Sequence, residues 1–361
     1  MALFKRKTSP AAGDAFDTAA IEGRKPICVA LQGGGAHGAF QWGVLDRLLE
    51  DDRLDIRAVS AASAGAMNGA ALISGLATGG PEGARAALDR LWRETNQSGG
   101  RNVFGDSAVW SAAMTPGWLK DAPAWRAMES WAGSLSPYEF NPFNLNPLKR
   151  VLDATVDFEA VRSSDVRFFV AATQVRHARA RIFGSAEITD RVLMASACLP
   201  HLFQAVEIDG EPYWDGGYLA NPPLWPLYEG DTPNDILLMT LNPFERADSP
   251  RAAGDIMDRI NEIAFSAPLT AELRAVAFMQ ELFEDDLLTE VARSRYRHIR
   301  MHAIEADGWL DDLSAGSKFN TEWTFLNRLK AKGREAAEEW LASCLPCVGT
   351  RSSVDLQARL G

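Results

Sequence analysis

The chain has 361 residues, 47% of them hydrophobic and 24% charged, with a formal net charge of −11. That length buries a sizeable core, and the composition is that of an ordinary globular protein. The acidic surplus argues against a nucleic-acid binder, and four scattered cysteines (Cys28, Cys198, Cys344 and Cys347) exclude a disulfide scaffold.

Lys5, Arg6 and Lys7 open the chain, but Thr8 to Asp17 contains no apolar run, so this is not a secretory signal. Residues 1–24 read as a mobile arm. No window has the unbroken apolar length of a membrane span, which places the protein in the cytoplasm, free or loosely attached to a membrane. Ile27-Cys28-Val29-Ala30-Leu31, between Pro26 and a glycine cluster, predicts a buried first strand. Phe40, Val44, Leu45, Leu48 and Leu49 then show helical spacing, and Ile56 to Ser60 predicts a second strand. Strand, glycine turn, helix and strand make a βαβ unit on a parallel sheet. Helices are expected at Ala64 to Leu76 and Gly83 to Glu94. Residues 96–147, rich in Gly, Pro, Asn and Ser and carrying Trp110, Trp118, Trp125 and Trp131, read as an inserted cap.

Strands are expected at Val166 to Ala172 and Ala180 to Phe183, then a helix from Thr189 to Ala197. Ala205 to Ile208 and Pro212 to Trp214 flank Asp209-Gly210 as a hairpin. Further strands fall at Asp235 to Leu241 and Tyr296 to Ala303, and helices at Ile256 to Leu288 and Thr321 to Ala342. The pattern predicts one α/β domain over residues 25–345, with a mainly parallel central sheet flanked by helices. Residues 346–361 form a C-terminal tail. Cys344-Leu345-Pro346-Cys347 has no second pair of ligands nearby, which argues against zinc.

Three motifs carry chemistry. Ala61-Ala62-Ser63-Ala64-Gly65 stands where an apolar strand meets a small-residue helix start, the pattern of a nucleophile elbow with Ala61 at the first glycine position. Read plainly, Ser60 or Ser63 is an ordinary helix N-cap. Gly33-Gly34-Gly35-Ala36-His37-Gly38 matches the dinucleotide-binding glycine pattern, but the second strand does not end in the acidic residue that would hold a ribose. Backbone N–H groups at such a turn also suit an oxyanion hole. Asp215-Gly216-Gly217 is an acidic glycine turn, common as an Asx turn, and a carboxylate that could activate a serine.

In this order, the glycine loop, the Ser63 elbow and Asp215-Gly216-Gly217 resemble the motifs of the patatin-like phospholipases. Met194-Ala195-Ser196-Ala197-Cys198-Leu199-Pro200 resembles the segment before that family's aspartate. The resemblance spans roughly residues 25–245. It implies a three-layer hydrolase of lipid acyl esters that needs no metal or other cofactor. By resemblance, Ser63 is the nucleophile, Asp215 its base in a dyad, and the amides of Gly34 and Gly35 the oxyanion hole. Gly33, Gly38, Gly65, Gly216 and Gly217 give these groups room. The chain departs from the family at Ala61 and at His37, where Arg or Lys is usual. The implied partners are a lipid or acyl-ester substrate and, peripherally, a membrane surface, with no nucleic acid. Two other readings remain: a Ser–His–Asp triad using His298 or His302, and a non-catalytic lipid-binding protein.

Overall fold

β1 (Lys25–Leu31) lies inside a single sheet, and Ile27 to Leu31 are fully buried. A parallel strand covered on both faces by helices needs an unbroken apolar run, and these residues supply it. The computed structural model describes residues 23–99, 136–229, 231–246, 249–310, 313 and 315–360. Among them the sheet has eight strands, with β2 (Leu54–Ala61), β3 (Arg167–Gln174), β4 (Arg179–Gly184), β5 (Val206–Ile208), β6 (Glu211–Asp215), β7 (Asp235–Thr240) and β8 (Arg300–Glu305) joining β1. Their order is β5-β6-β3-β2-β1-β7-β8, with β4 paired to β3. The pairs from β3 through β2, β1 and β7 to β8 are parallel, while β4, β5 and β6 join through antiparallel pairs. This is the α/β, mainly parallel architecture expected.

Alternate residues of β1 feed two cores. Ile27, Val29 and Leu31 face a cluster built with α1 (Gly38–Glu50), α2 (Ala64–Gly99) and α7 (Trp323–Ser343). Cys28 and Ala30 face a second cluster containing Leu269, Leu273 and Val276 of α6 (Ala253–Glu284). The three layers follow from the two-residue period of a strand. α3 (Pro147–Thr155), α4 (Phe158–Ser163) and α5 (Asp190–Ser196) complete the first helical layer. Packing of α1 on α7 is close because a Cβ on Gly43 would strike the Lys330 carbonyl, and one on Gly333 would strike that of Phe40.

The expected helices at Ala64 to Leu76 and Gly83 to Glu94 run together as α2, which bends at Gly79 and Gly80, where φ reaches +62°. β8 begins at Arg300, four residues beyond the expected start. Tyr296 instead caps the short helix Glu290–Arg295, and Arg297 turns its guanidinium to Asn234 and Thr232. β8 closes one end of the sheet, and residues 348–356, in the stretch read as a tail, fold back on it. Val348 and Leu356 are buried, and Ser353 and Val354 donate backbone N–H groups to Met301. Trp110, Trp118, Trp125, Trp131 and residues 1–22 lie outside the described residues. No described helix is long and apolar enough to cross a membrane.

Candidate active site

The sheet register brings two distant turns together. Ala61, at the end of β2, pairs with Val170 of β3, and Asp215, at the end of β6, pairs with Ala172. β4 occupies the other edge of β3, so β2 and β6 follow one another along the same edge. The loops leaving β2 and β6 therefore meet, although 152 positions separate Ser63 from Asp215.

Ser63 occupies the step between β2 and α2 with φ of +52°, a left-handed conformation that costs a non-glycine residue on the order of 1–3 kcal/mol. Its surroundings hold it there. The Ser63 N–H donates to Ser196 Oγ at 2.9 Å, and Ser196 is fully buried at the end of α5. A Cβ on Gly65 would strike the carbonyl of Leu31, and one on Gly33 would lie 2.7 Å from the Ser63 Cβ. The elbow thus works with Ala61, whose methyl is buried, because the closest approaches fall at Gly33 and Gly65.

The Ser63 hydroxyl donates to Asp215 Oδ2 at 2.7 Å, while Asp215 Oδ1 accepts the Gly217 N–H at 2.7 Å. The Asp215 backbone is fixed by its N–H on Cys198 and by the Thr173 hydroxyl on its carbonyl. Asp215 is fully buried. Burial pushes its carboxyl up to about 7, against the downward pull of the Gly217 N–H and the Ser63 hydroxyl. Gly216 and Gly217 are required by contact: a Cβ on the first would strike the Ala171 carbonyl, and one on the second the ring of Phe265 in α6.

The glycine loop lies directly beside this pair. Gly33 donates its N–H to Asn221 Oδ1 at 2.7 Å, so that amide is occupied. The amides of Gly34 and Gly35 have no acceptor among the described residues. Gly35 has φ of +59°, and a Cβ there would press on the Lys318 carbonyl. Gly38 packs its Cα against Ala64 and Trp92, which seats α1 against α2. His37 does not point into the site. Its Nε2 is 2.7 Å from Ser317 Oγ, and burial, followed by the charge of Lys318, lowers its pKa to about 3. It is a neutral imidazole at the position where the family usually has a cation.

No other histidine joins Ser63 or Asp215 among the described residues. His302 is buried within β8, between Asp235 Oδ1 and Ser353 Oγ, each at 3.0 Å. His298 stacks on Phe283, His177 lies near Glu211, and His201 is exposed.

A family model of patatin-like phospholipases matches residues 29–228, more than half of the chain. The chain belongs to the patatin-like phospholipase family. Membership supports hydrolysis of lipid esters as its chemistry. Among solved structures, this patatin-like chain is similar to VipD from Legionella pneumophila, with 16% identity over 88% of this chain and 67% of that one, at a TM-score of 0.41. It is also similar to the type III effector ExoU of Pseudomonas aeruginosa, with 15% identity over 93% of this chain and a TM-score of 0.33. It spans about half the ExoU chain, 54%. No curated protein sequence matches it.

Several side chains at the site have no local signature in the sequence. Asn221 and Asn242 hold Gly33, and Gln32 and Lys318 in turn hold Asn242, whereas Ser196, which holds the Ser63 N–H, lies in the Met194–Pro200 segment that the sequence does mark. Gln32 Oε1 accepts the N–H groups of Leu241 and Asn242, and Asn242 Oδ1 accepts Lys318 Nζ at 2.6 Å. Asn221 follows the aspartate turn by only a few residues, and its position just before Pro222-Pro223 reads as a loop, not as a partner of Gly33.

Proposed function

We propose that the chain is a serine acyl hydrolase acting on lipid esters of the phospholipase A type through Ser63 and Asp215. The observation that carries this reading is the 2.7 Å hydrogen bond from the Ser63 hydroxyl to Asp215, with no imidazole bonded to either group among the described residues. As Ser63 Oγ attacks the acyl carbonyl carbon, its proton passes to Asp215 Oδ2. The carbonyl π electrons move to oxygen, and the unbonded amides of Gly34 and Gly35 stabilise that charge. Collapse re-forms the carbonyl and expels the alcohol, which takes the proton from Asp215. Water then attacks the acyl-enzyme, with Asp215 accepting its proton and returning it to Ser63 as the fatty acid leaves.

A carboxylate with an ordinary pKa is a poor base for an alcohol. Burial raises that of Asp215 toward neutrality and improves its proton affinity where it must act. Gly217 meanwhile orients the carboxylate, leaving Oδ2 for the serine. Membrane contact is peripheral in this reading, the enzyme meeting its substrate at the bilayer surface.

The test is covalent. A fluorophosphonate probe should label Ser63, and Ser63→Ala should abolish both labelling and turnover of long-chain esters while the protein still folds cooperatively. Labelling at Ser60, or unaltered turnover in Ser63→Ala, excludes the assignment.

A further inference from the structure

A pair of thiols that the proposed hydrolysis leaves unused lies just beyond α7. The helix stops at Ser343, and a 3-10 turn, Leu345–Cys347, follows it. The Cys347 N–H donates to the Cys344 carbonyl at 2.9 Å, and Pro346 stiffens the turn between them. A turn closed in this way holds its end Cα atoms within about 7 Å, and a disulfide spans about 4.4–6.8 Å between Cα atoms. Side chains three apart in such a turn eclipse one another, so the two Cβ atoms leave it on one side. Cys344 itself has φ of −106° and ψ of −25°, which continues the helical winding. Both cysteines are free thiols.

The surroundings fix this turn and grade the two thiols. Lys25 Nζ donates to the carbonyls of Val348 at 2.7 Å, Leu345 at 3.2 Å and Pro346 at 3.4 Å, which ties the turn to the start of β1. Just beyond it, Gly349 takes φ of +85° and gives its N–H to Asp235 Oδ1 at 2.9 Å. Cys344 is half-buried, with its Sγ 3.4 Å from Ser343 Oγ, whereas Cys347 is only 7% exposed. Cys28 and Cys198 are fully buried, and burial pushes both thiols up to about 12, so they are inert by comparison. No third His, Cys, Asp or Glu ligand joins the pair among the described residues, which suits it to thiol chemistry. The glycine loop follows the other end of β1, so about 20 Å of strand separates the turn from the candidate active site.

We propose that Cys344 and Cys347 form a redox-active dithiol that exchanges with small-molecule disulfides of the glutathione class. Cys344, the more accessible member, attacks first as its thiolate. Its sulfur bonds to one sulfur of the oxidant, the oxidant's S–S bond breaks, and one thiol leaves after taking a proton from solvent. The Cys347 thiolate then attacks Cys344 Sγ and expels the second thiol, which is protonated in the same way. The pair loses two electrons and two protons, and the oxidant gains both. Because the turn already has the backbone geometry of the product, closure needs little movement. The closed ring clamps the end of α7 to the segment that carries Gly349 to Asp235, and excess thiol reopens it.

The experiment equilibrates the full chain in buffers of reduced and oxidised glutathione, traps the remaining thiols by acid and alkylation, and maps the cysteines by mass spectrometry. With oxidised glutathione in excess, wild type should carry a Cys344–Cys347 disulfide, while Cys28 and Cys198 stay thiols. Cys347→Ser should stop with one glutathione held on Cys344, and Cys344→Ser should leave Cys347 unmodified. At one glutathione ratio, the proportion of disulfide to dithiol should be at least about tenfold higher in the folded protein than in the same chain in denaturant, because only the folded turn holds the thiols together. A wild type that stays reduced, or that keeps glutathione on Cys344 without closing the ring, overturns the proposal. So does an equal proportion in folded and denatured chains, or a Cys347 that reacts in Cys344→Ser as readily as Cys344 does in Cys347→Ser.

Discussion

Residues 29–228 supply every group proposed to react, whereas residues 231–360 supply none of them but hold several in place. Ser63, Asp215 and the glycine turn arise from loops that leave the sheet near one another. The later part contributes β7, whose exit places Leu241 and Asn242 on Gln32, and Lys318, whose carbonyl occupies the space a Cβ on Gly35 would need. It also contributes Phe265, which lies over Gly217. The comparison teaches that a short motif can define chemistry while its geometry depends on residues far outside it. The substitutions below test that division.

The largest effect falls within the earlier part. Asp215→Asn keeps the side-chain size but removes the basic oxygen facing Ser63, and kcat should fall on the order of 10²–10⁴-fold. His37→Ala, His201→Ala, His298→Ala and His302→Ala should each retain turnover within about tenfold. His302 supports β8 through Asp235 and Ser353, so its loss should show in thermal unfolding. A folded histidine variant as inactive as Asp215→Asn, and non-additive with it, replaces the dyad by a triad.

The pH profile comes next. The proposed base must be ionised, and burial sets Asp215 at about 7. Thus kcat/KM for a neutral ester should rise about tenfold per unit below that value and level off above it. A plateau extending down through pH 5 would mean that the carboxyl titrates near its ordinary value.

The smallest of these effects belongs to the supporting part. Asn242→Ala removes the acceptor for the half-buried Lys318 ammonium and the fully buried side-chain contact to the Gly33 carbonyl. Loss of such a buried partner costs about 1–3 kcal/mol in stability. The displaced glycine turn should lower kcat about tenfold with KM nearly unchanged. Unchanged kcat in a folded Asn242→Ala protein would show that the glycine turn keeps its geometry without this support.

The legible parts of the sequence were those with local physical causes. Ile27 to Leu31 could only be a strand buried on both faces. Ser63 stood out because small residues surround the step from strand to helix, and the Asp209-Gly210 turn, both residues with positive φ, marked the hairpin that delivers Asp215. Other parts were not legible because their causes are distant. The register that sets β2 and β6 along one edge of β3 is no local property. Nor is the contact of Gly333 with Phe40, or the pairing of Gln32 with the end of β7. The start of β8 was misplaced because Arg297 reaches residues in the β6–β7 connection, taking its neighbours out of the strand.

The placement of β7 has a consequence for synthesis. A nascent chain that has emerged through residue 228 already contains the serine, the aspartate and the glycine turn. At that stage β1 lacks its β7 neighbour, and Gln32 lacks the two amides it later accepts. Asp235 in turn is held by Arg300, His302 and Gly349, whose codons are read far later. Domains form as units, and long-range strand pairing is slow. If the proposed chemistry holds, hydrolytic competence should therefore emerge late in translation, after the glycine turn has acquired its last support.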